Sequence, residues 1–139
     1  MNTTQTPPIE PTKATLSEAT RLLFQVASRS HTLRDLFGIE VIEHGDVINK
    51  LRYLVRHRDY LFEHPTRKNE LSFDPDIFAK RLTKVSDGER HMILFILNVW
   101  NPHYAPDKGW QFDLFKALGT LDSQNAESVA RFIERPIWP

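Results

Sequence analysis

The residues whose types and spacing could do chemistry are concentrated in the C-terminal half of the chain. They are Arg90, Trp100, Asn101, Trp110, Asp113 and Asp122. Brought together at the ends of a helix, their polar groups would form a pocket with the two indole rings as walls. The simpler interpretation is that Asp113 and Asp122 are helix N-caps, each worth about 1 kcal/mol, and that Arg90 pairs with one of them. Because no nucleophile with a neighbouring base accompanies these groups, we expect the capping roles.

Other sequence patterns of catalysis or metal binding are missing. The six histidines include no pair spaced i and i+4 within one predicted helix, which a helical zinc site needs. The chain has no Gly-x-Ser-x-Gly motif, and its five glycines are too scattered for a phosphate-binding loop. It also has no cysteine, which excludes thiolate ligands and disulfides. We therefore expect no enzyme activity, no metal and no cofactor.

The strongest local charge bias runs from residue 50 to residue 68. Its basic members are Lys50, Arg52, Arg56, Arg58, Arg67 and Lys68. This basic face, with Tyr53 and Tyr60 beside it, could bind the phosphates and bases of single-stranded nucleic acid. However, the whole chain has 18 Lys and Arg against 18 Asp and Glu, whereas a nucleic-acid-binding domain is usually basic overall. We favour a solvated face that is balanced by acidic neighbours such as Glu40.

The element expected to organise the fold is a helix over residues 87–101. Residues 92–100 are apolar on nearly every face, so they must be covered on every face. Ser86 and Glu89 have the spacing of a capping box, and Asn101-Pro102 ends the helix. The apolar run is too short to cross a bilayer, which needs roughly 20 such residues. The pattern predicts a buried central helix and no membrane contact.

Capping signals and apolar periodicity predict further helices around it. They cover residues 16–28 after a Thr15 cap, 46–62 after an Asp46 cap, 74–85, 113–118 and 123–133, with a short extra turn at 30–37. Residues 39–43 alternate like a strand, but without a second convincing strand they are predicted to be a connector. Residues 101–111 are predicted to be a loop. The fold class is therefore all-α, an irregular bundle of about five or six helices.

The domain organisation follows from length and composition. A chain of 139 residues suits one domain, which we place at residues 15–139. Residues 1–14 hold three prolines and only Ile9 as a large apolar residue after Met1, which predicts a disordered arm. The first residues lack the basic start and apolar centre of a signal peptide, so we expect a cytoplasmic protein.

The pattern of the C-terminal third resembles one protein family. Arg90, Phe95-Ile96-Leu97, Trp100-Asn101, Phe112-Asp113-Leu114 and Leu121-Asp122 are similar in order to the Arg, Phe-Leu-Leu, Trp-Asn, Phe-Asp-Leu and Asp of a family of small bacterial domains. Members of that family are often found on plasmids, integrated elements and phage-like regions, and their function is not established. The resemblance implies a mobile-element context and supplies no active site.

These observations predict a small accessory or regulatory protein that binds another protein. The alternative is a nucleic-acid-binding protein that uses the basic face. A third hypothesis is an enzyme with a site around Arg90, Asp113 and Asp122. A surface near Phe115, Phe132 and Trp138 would serve a protein partner if it stays exposed.

Overall fold

A computed structural model describes residues 15–42 and 52–139 of the chain. In these two ranges it contains seven α-helices and five short strands, which form a three-stranded and a two-stranded sheet. The fold is mixed, so the prediction of an all-α bundle is wrong. The arm predicted over residues 1–14 lies outside the described residues.

The central helix, α4, spans Asp87–Trp100, as its sequence pattern predicts. Ser86 Oγ accepts a hydrogen bond from the backbone N–H of Glu89, and Glu89 Oε1 accepts one from the backbone N–H of Ser86. This reciprocal capping box satisfies two donors at the helix start. Residues 92–97 are all buried, so neighbouring elements cover α4 on every side. The backbone N–H of Asn101 closes its C-terminal end on Leu97.

The chain enters the described fold through a strand. Strand β1 is Thr15–Leu16, followed by α1 (Glu18–Ala27) and α2 (His31–Phe37). The predicted Thr15 cap is therefore wrong: Ser17 is the N-cap, and its hydroxyl accepts from the backbone N–H of Thr20. Thr15 and Leu16 instead pair with a later strand.

Two small sheets replace the helix predicted over residues 46–62. Strand β2 (Ile39–Ile42) pairs antiparallel with β3 (Arg52–Val55). Strand β4 (Leu61–Glu63) pairs antiparallel with β5 (Glu70–Phe73), and β1 runs parallel on the other edge of β5. Residues 52–62, the described part of that predicted helix, thus form strand β3, a turn and the start of strand β4. Residues 39–42 of the predicted connector form strand β2. The physical reason is alternation, because residues 53 and 55 are buried while residue 54 is half-buried.

Aromatic rings join the sheets to the helices in the core. Tyr60 lies fully buried, and its hydroxyl donates a 2.5 Å hydrogen bond to the carbonyl of Phe37. Rings of the cluster contact one another with centroid distances from 4.3 to 6.3 Å, and its members are Phe24, Phe37, Tyr60, Phe73 and Phe78. These side chains come from α1, α2, the turn before β4, β5 and α3, so one cluster fixes five segments.

The remaining elements follow local capping signals. Helix α3 is Pro75–Ala79 and continues as a 3₁₀ helix, Lys80–Thr83, which shortens the helix predicted over 74–85. The predicted loop at 101–111 contains a short helix, α5 (Tyr104–Asp107). Helices α6 (Leu114–Leu118) and α7 (Ser123–Glu134) follow at the predicted places. In the described ranges no helix has the length and apolar character to cross a bilayer.

Candidate functional site

The arginine of the predicted polar pocket lies far from its tryptophans. Arg90 and Trp100 are ten residues apart on α4, which corresponds to about 15 Å along the helix axis. Arg90 Nη1 donates to the carbonyl of Leu82 at 3.3 Å and so ties α4 to the preceding 3₁₀ helix. The structure forms no ion pair between Arg90 and Asp113 or Asp122, which was the pairing expected from the sequence.

The two aspartates of the predicted pocket are N-caps, as their positions predict. Asp113 Oδ1 accepts from the backbone N–H of Lys116 at 3.0 Å, at the start of α6. Asp122 Oδ1 accepts from the backbone N–H of Asn125 at 2.8 Å, at the start of α7. The second carboxylate oxygen of Asp122 lies 3.6 Å from Nε2 of His31. Each carboxylate therefore has a structural role that needs no substrate.

The other members of the predicted pocket have separate neighbours. The Trp100 ring packs edge-on against Phe73, with centroids 5.0 Å apart. The Trp110 ring packs against Tyr104, with centroids 5.9 Å apart. Asn101 Oδ1 accepts from the backbone N–H groups of His103 and Tyr104, which starts the turn after α4. The two indole rings thus pack on different neighbours rather than on each other.

The described part of the basic face lies on β3, on the segment between β3 and β4 and on the loop between β4 and β5, not on the predicted helix. Lys50 lies outside the described residues, and Arg52 lies on β3. Arg56, Arg58, Arg67 and Lys68 are exposed. Arg56 Nη1 lies 2.6 Å from Glu40 Oε1, and Arg67 Nη1 lies 3.2 Å from Glu70 Oε1.

The pKa values of the first of these pairs reflect their contact. The hydrogen bond from Arg56 lowers the pKa of Glu40, and the same bond raises the pKa of Arg56. Glu40 is one of the acidic neighbours expected to balance this face. About half of each side chain is exposed to solvent, so the pair contributes little to stability.

Large apolar side chains are exposed mainly near the C-terminus. Among the described residues, five such side chains are exposed, and four of them lie between residues 115 and 138. Those four, which we name the C-terminal apolar surface, have exposed fractions of 85% for Phe115, 50% for Leu118, 58% for Ile133 and 54% for Trp138. Aromatic side chains such as those of Phe115 and Trp138 are typical of protein interfaces.

A chain of ring contacts holds this surface on the central helix. The rings of Phe112 and Phe132 each lie 5.5 Å from the ring of Phe95 on α4. Trp138 packs edge-on against Phe132 at 5.1 Å, so the C-terminal residues fold back onto α7. Phe115 and Leu118 lie one helical turn apart on α6, on the same side of the helix. The exposed side chains therefore project from anchored elements.

The sequence named only part of this surface. The sequence left open whether a patch near Phe115, Phe132 and Trp138 stays exposed, and in the structure Phe132 is buried. The buried residues of α7 are Asn125, Ser128, Val129 and Phe132, so Ile133 lies outside its buried face. Two polar side chains, Asn125 and Ser128, therefore occupy core positions on this helix. A sequence pattern based on apolar residues cannot identify such polar core positions.

These polar side chains form a buried network between α7 and α2. Ser30 Oγ donates to Asn125 Oδ1 at 2.6 Å, and Asn125 Nδ2 donates to Thr32 Oγ1 at 2.8 Å. Ser128 Oγ donates to the carbonyl of Arg29 at 2.7 Å. Because the polar groups satisfy one another, α7 can bury this face. The other face of α7 then exposes Ile133.

In the described part of the chain, no group of three or more His, Cys, Asp or Glu residues is arranged to hold a metal ion. Comparisons of the chain with protein-family models, with curated proteins and with solved structures found no match.

Proposed function

We propose that this protein binds another protein through the C-terminal apolar surface and carries out no chemistry of its own. The observation that carries the proposal is the 85% exposure of Phe115 together with the exposed Leu118, Ile133 and Trp138. Burying a large apolar side chain in an interface contributes about 1.5–3 kcal/mol. The surface is thus suited to a partner that supplies apolar side chains.

The proposed setting is the bacterial cytoplasm, where the protein would act as an accessory or regulatory factor. The family resemblance of residues 90–122 supports a mobile-element or phage origin. The partner would then be a host protein or a protein of the same element. This setting adds no site to the proposal, which depends only on the exposed apolar side chains.

Contacts of the basic face favour protein binding over the nucleic-acid alternative. Arg56 and Arg67 are each paired with a carboxylate, which would have to be displaced by phosphate. The formal net charge of the chain is also zero, so no overall field attracts nucleic acid. For the enzyme alternative, the capping roles of Asp113 and Asp122 leave neither carboxylate without a partner.

The test is affinity capture from bacterial lysate with three forms of the protein, each with and without nuclease. The forms are the wild type, the Phe115→Ser/Leu118→Ser double variant and a Lys116→Ser control on the same helix. We expect the wild type and the control to retain the same partner after nuclease, and the double variant to lose it. Thermal unfolding of all three forms checks that the fold is intact. We expect similar midpoints, because both substituted side chains are exposed.

Two outcomes would reject the proposal. If the double variant captures the same proteins as the wild type, the C-terminal apolar surface is not the binding site. If nuclease removes every captured protein, the partner is nucleic acid. Gel shifts of Arg56→Ala/Arg58→Ala across several salt concentrations would then test the basic face, since phosphate contacts weaken steeply with salt.

A further inference from the structure

A cluster of aromatic, acidic and basic side chains lies where α3 meets the segment after α4. Lys108 Nζ lies over two rings, 5.6 Å from the centroid of Tyr104 and 5.9 Å from the centroid of Trp110. The same ammonium lies 3.3 Å from Asp76 Oδ1. Two aromatic faces and a carboxylate therefore surround one cation, which is the arrangement that proteins use to bind organic ammonium groups.

The walls of this cluster are held by contacts that do not involve Lys108. The Tyr104 hydroxyl donates to Asp76, 2.8 Å from Oδ2. The backbone N–H of Trp110 donates to the carbonyl of Ala105 at 2.9 Å, and the carbonyl of Trp110 accepts from Asn98 Nδ2 at 2.7 Å. The two rings lie 5.9 Å apart with an interplanar angle of 72°. The Tyr104 hydroxyl and the backbone of Trp110 are thus held without the lysine side chain.

Lys108 is the cationic member of the cluster and is exposed. Its side chain is 44% exposed, and its ammonium is carried on a flexible four-carbon stem. The hydrogen bond with Asp76 raises the pKa of Lys108, so the group over the rings stays cationic. An exposed ion pair of this kind is weak and opens readily. A ligand with the same charge could therefore take the place of Lys108.

We propose that Asp76, Tyr104 and Trp110 form a binding site for an alkylammonium group, and that Lys108 occupies this site as an internal competitor. The ligand would be a quaternary amine or the methylated lysine of a peptide, since both present the same trimethylammonium group. This site is separate from the C-terminal apolar surface and does not depend on the proposed function. Lys108 would lower the apparent affinity by the fraction of time it occupies the site.

The test titrates tetramethylammonium chloride into the protein and follows the indole N–H signal of Trp110 by NMR. Trp110→Phe identifies that signal among the three tryptophans. Lys108→Ala removes the internal competitor, and Lys116→Ala removes an exposed lysine elsewhere. We expect a saturable shift in Lys108→Ala, with an affinity about five-fold or more above that of the wild type and of Lys116→Ala. Adding Asp76→Asn to Lys108→Ala should weaken the binding of tetramethylammonium again.

A neutral probe of similar shape separates charge recognition from general solvent effects. The probe tert-butanol should give no saturable shift in Lys108→Ala, because it carries no charge. The proposal is overturned if tetramethylammonium gives no saturable shift in Lys108→Ala. It is also overturned if the wild type binds tetramethylammonium as tightly as Lys108→Ala does. The same holds if tert-butanol gives a saturable shift in Lys108→Ala. Choline and a trimethyllysine peptide are then each titrated into Lys108→Ala. The tighter ligand shows whether the site prefers a free quaternary amine or a methylated peptide.

Discussion

Asn125 is a polar side chain in a core position, with only 4% of its surface exposed. Its amide accepts from Ser30 and donates to Thr32, so it joins α7 to α2. Asn125→Ala would leave the buried Ser30 hydroxyl without its acceptor. We expect the free energy of unfolding to fall by about 1–3 kcal/mol, which is the cost of an unsatisfied buried polar group. Urea unfolding measures this loss.

Gln124 provides the matched control for Asn125, because it is the preceding residue of α7 and is exposed. Gln124→Ala should change the free energy of unfolding by no more than about 0.5 kcal/mol. If both variants unfold at the same urea concentration, the network does not stabilise the fold. Because hydrogen bonding alone makes Asn125 a core residue, its burial could not be predicted from hydrophobicity.

At the scale of elements, two glycines differ in whether the backbone conformation and the surrounding space allow a side chain. Gly38 ends α2 with φ at 66°, and a Cβ built on it would overlap the imidazole of His57. Gly38→Ala should therefore destabilise the protein by about 1–2 kcal/mol for the left-handed conformation alone. Displacing His57 adds to that cost. Thermal unfolding of Gly38→Ala and of Gly38→Ala/His57→Ala separates the two contributions.

Gly88 in the first turn of α4 should respond in the opposite direction. A Cβ built there meets no atom within 4 Å, and the residue is helical. Gly88→Ala should raise the free energy of unfolding by about 0.5–1 kcal/mol, since alanine restricts the unfolded chain. A Gly88→Ala variant that is less stable than the wild type would show that this turn tolerates no side chain.

The capping box of α4 predicts a pH dependence that starts at this helix. The backbone N–H and the hydroxyl of Ser86 lower the pKa of Glu89 below its ordinary value of 4.5. A lowered carboxyl pKa contributes stability that is present above the unfolded pKa and is lost as pH falls through the folded pKa. Glu89→Gln keeps an acceptor but has no charge to titrate. The urea midpoint of this variant should fall less than that of the wild type between about pH 6 and about pH 3.

The control for this acid effect is Ser123→Ala, because Asp122 and not Ser123 is the N-cap of α7. That variant should follow the wild type at every pH. Equal acid sensitivity in the wild type and in Glu89→Gln would remove Glu89 as a source of the pH dependence.

Elements with local signals were predictable, and paired strands were not. Helices α4, α6 and α7 each start at a side chain whose cap is readable within three or four residues. Strands β2 and β3 have four residues each, and neither is stable without the other. Leu51, Leu54 and Val55 have helical spacing, so the local pattern favoured a helix over 46–62. Pairing with Ile39–Ile42 overrode that preference.

In the candidate site, too, local features could be predicted and contacts between elements could not. Asp113 and Asp122 were correctly assigned as caps because a cap acts on its own helix. The contact of Arg90 with Leu82 and the exposure of Ile133 depend on how elements pack, and no short sequence window contains that information. The cluster around Lys108 is similar, since Asp76 joins it from α3.

The whole molecule carries three tyrosines, and each has a raised pKa. Burial raises the pKa of Tyr53 to about 12, and burial also raises that of Tyr60 strongly. The hydrogen bond to Asp76 raises the pKa of the half-buried Tyr104. A raised tyrosine pKa gives stability that is complete below the unfolded value of 10.0 and is lost as pH rises above it. The folded core should therefore resist ionisation until it unfolds.

We expect alkaline titration of Tyr104→Phe to show tyrosinate absorbance and the loss of far-UV circular dichroism at the same pH. Both remaining tyrosines lie in the core, so neither should ionise while the helices persist. In the wild type, Tyr104 adds an earlier component, because it reaches solvent without unfolding. If Tyr104→Phe develops tyrosinate absorbance while its circular dichroism is unchanged, a core tyrosine is open to water. The opening would then be local to Tyr53 or Tyr60, because the helices persist.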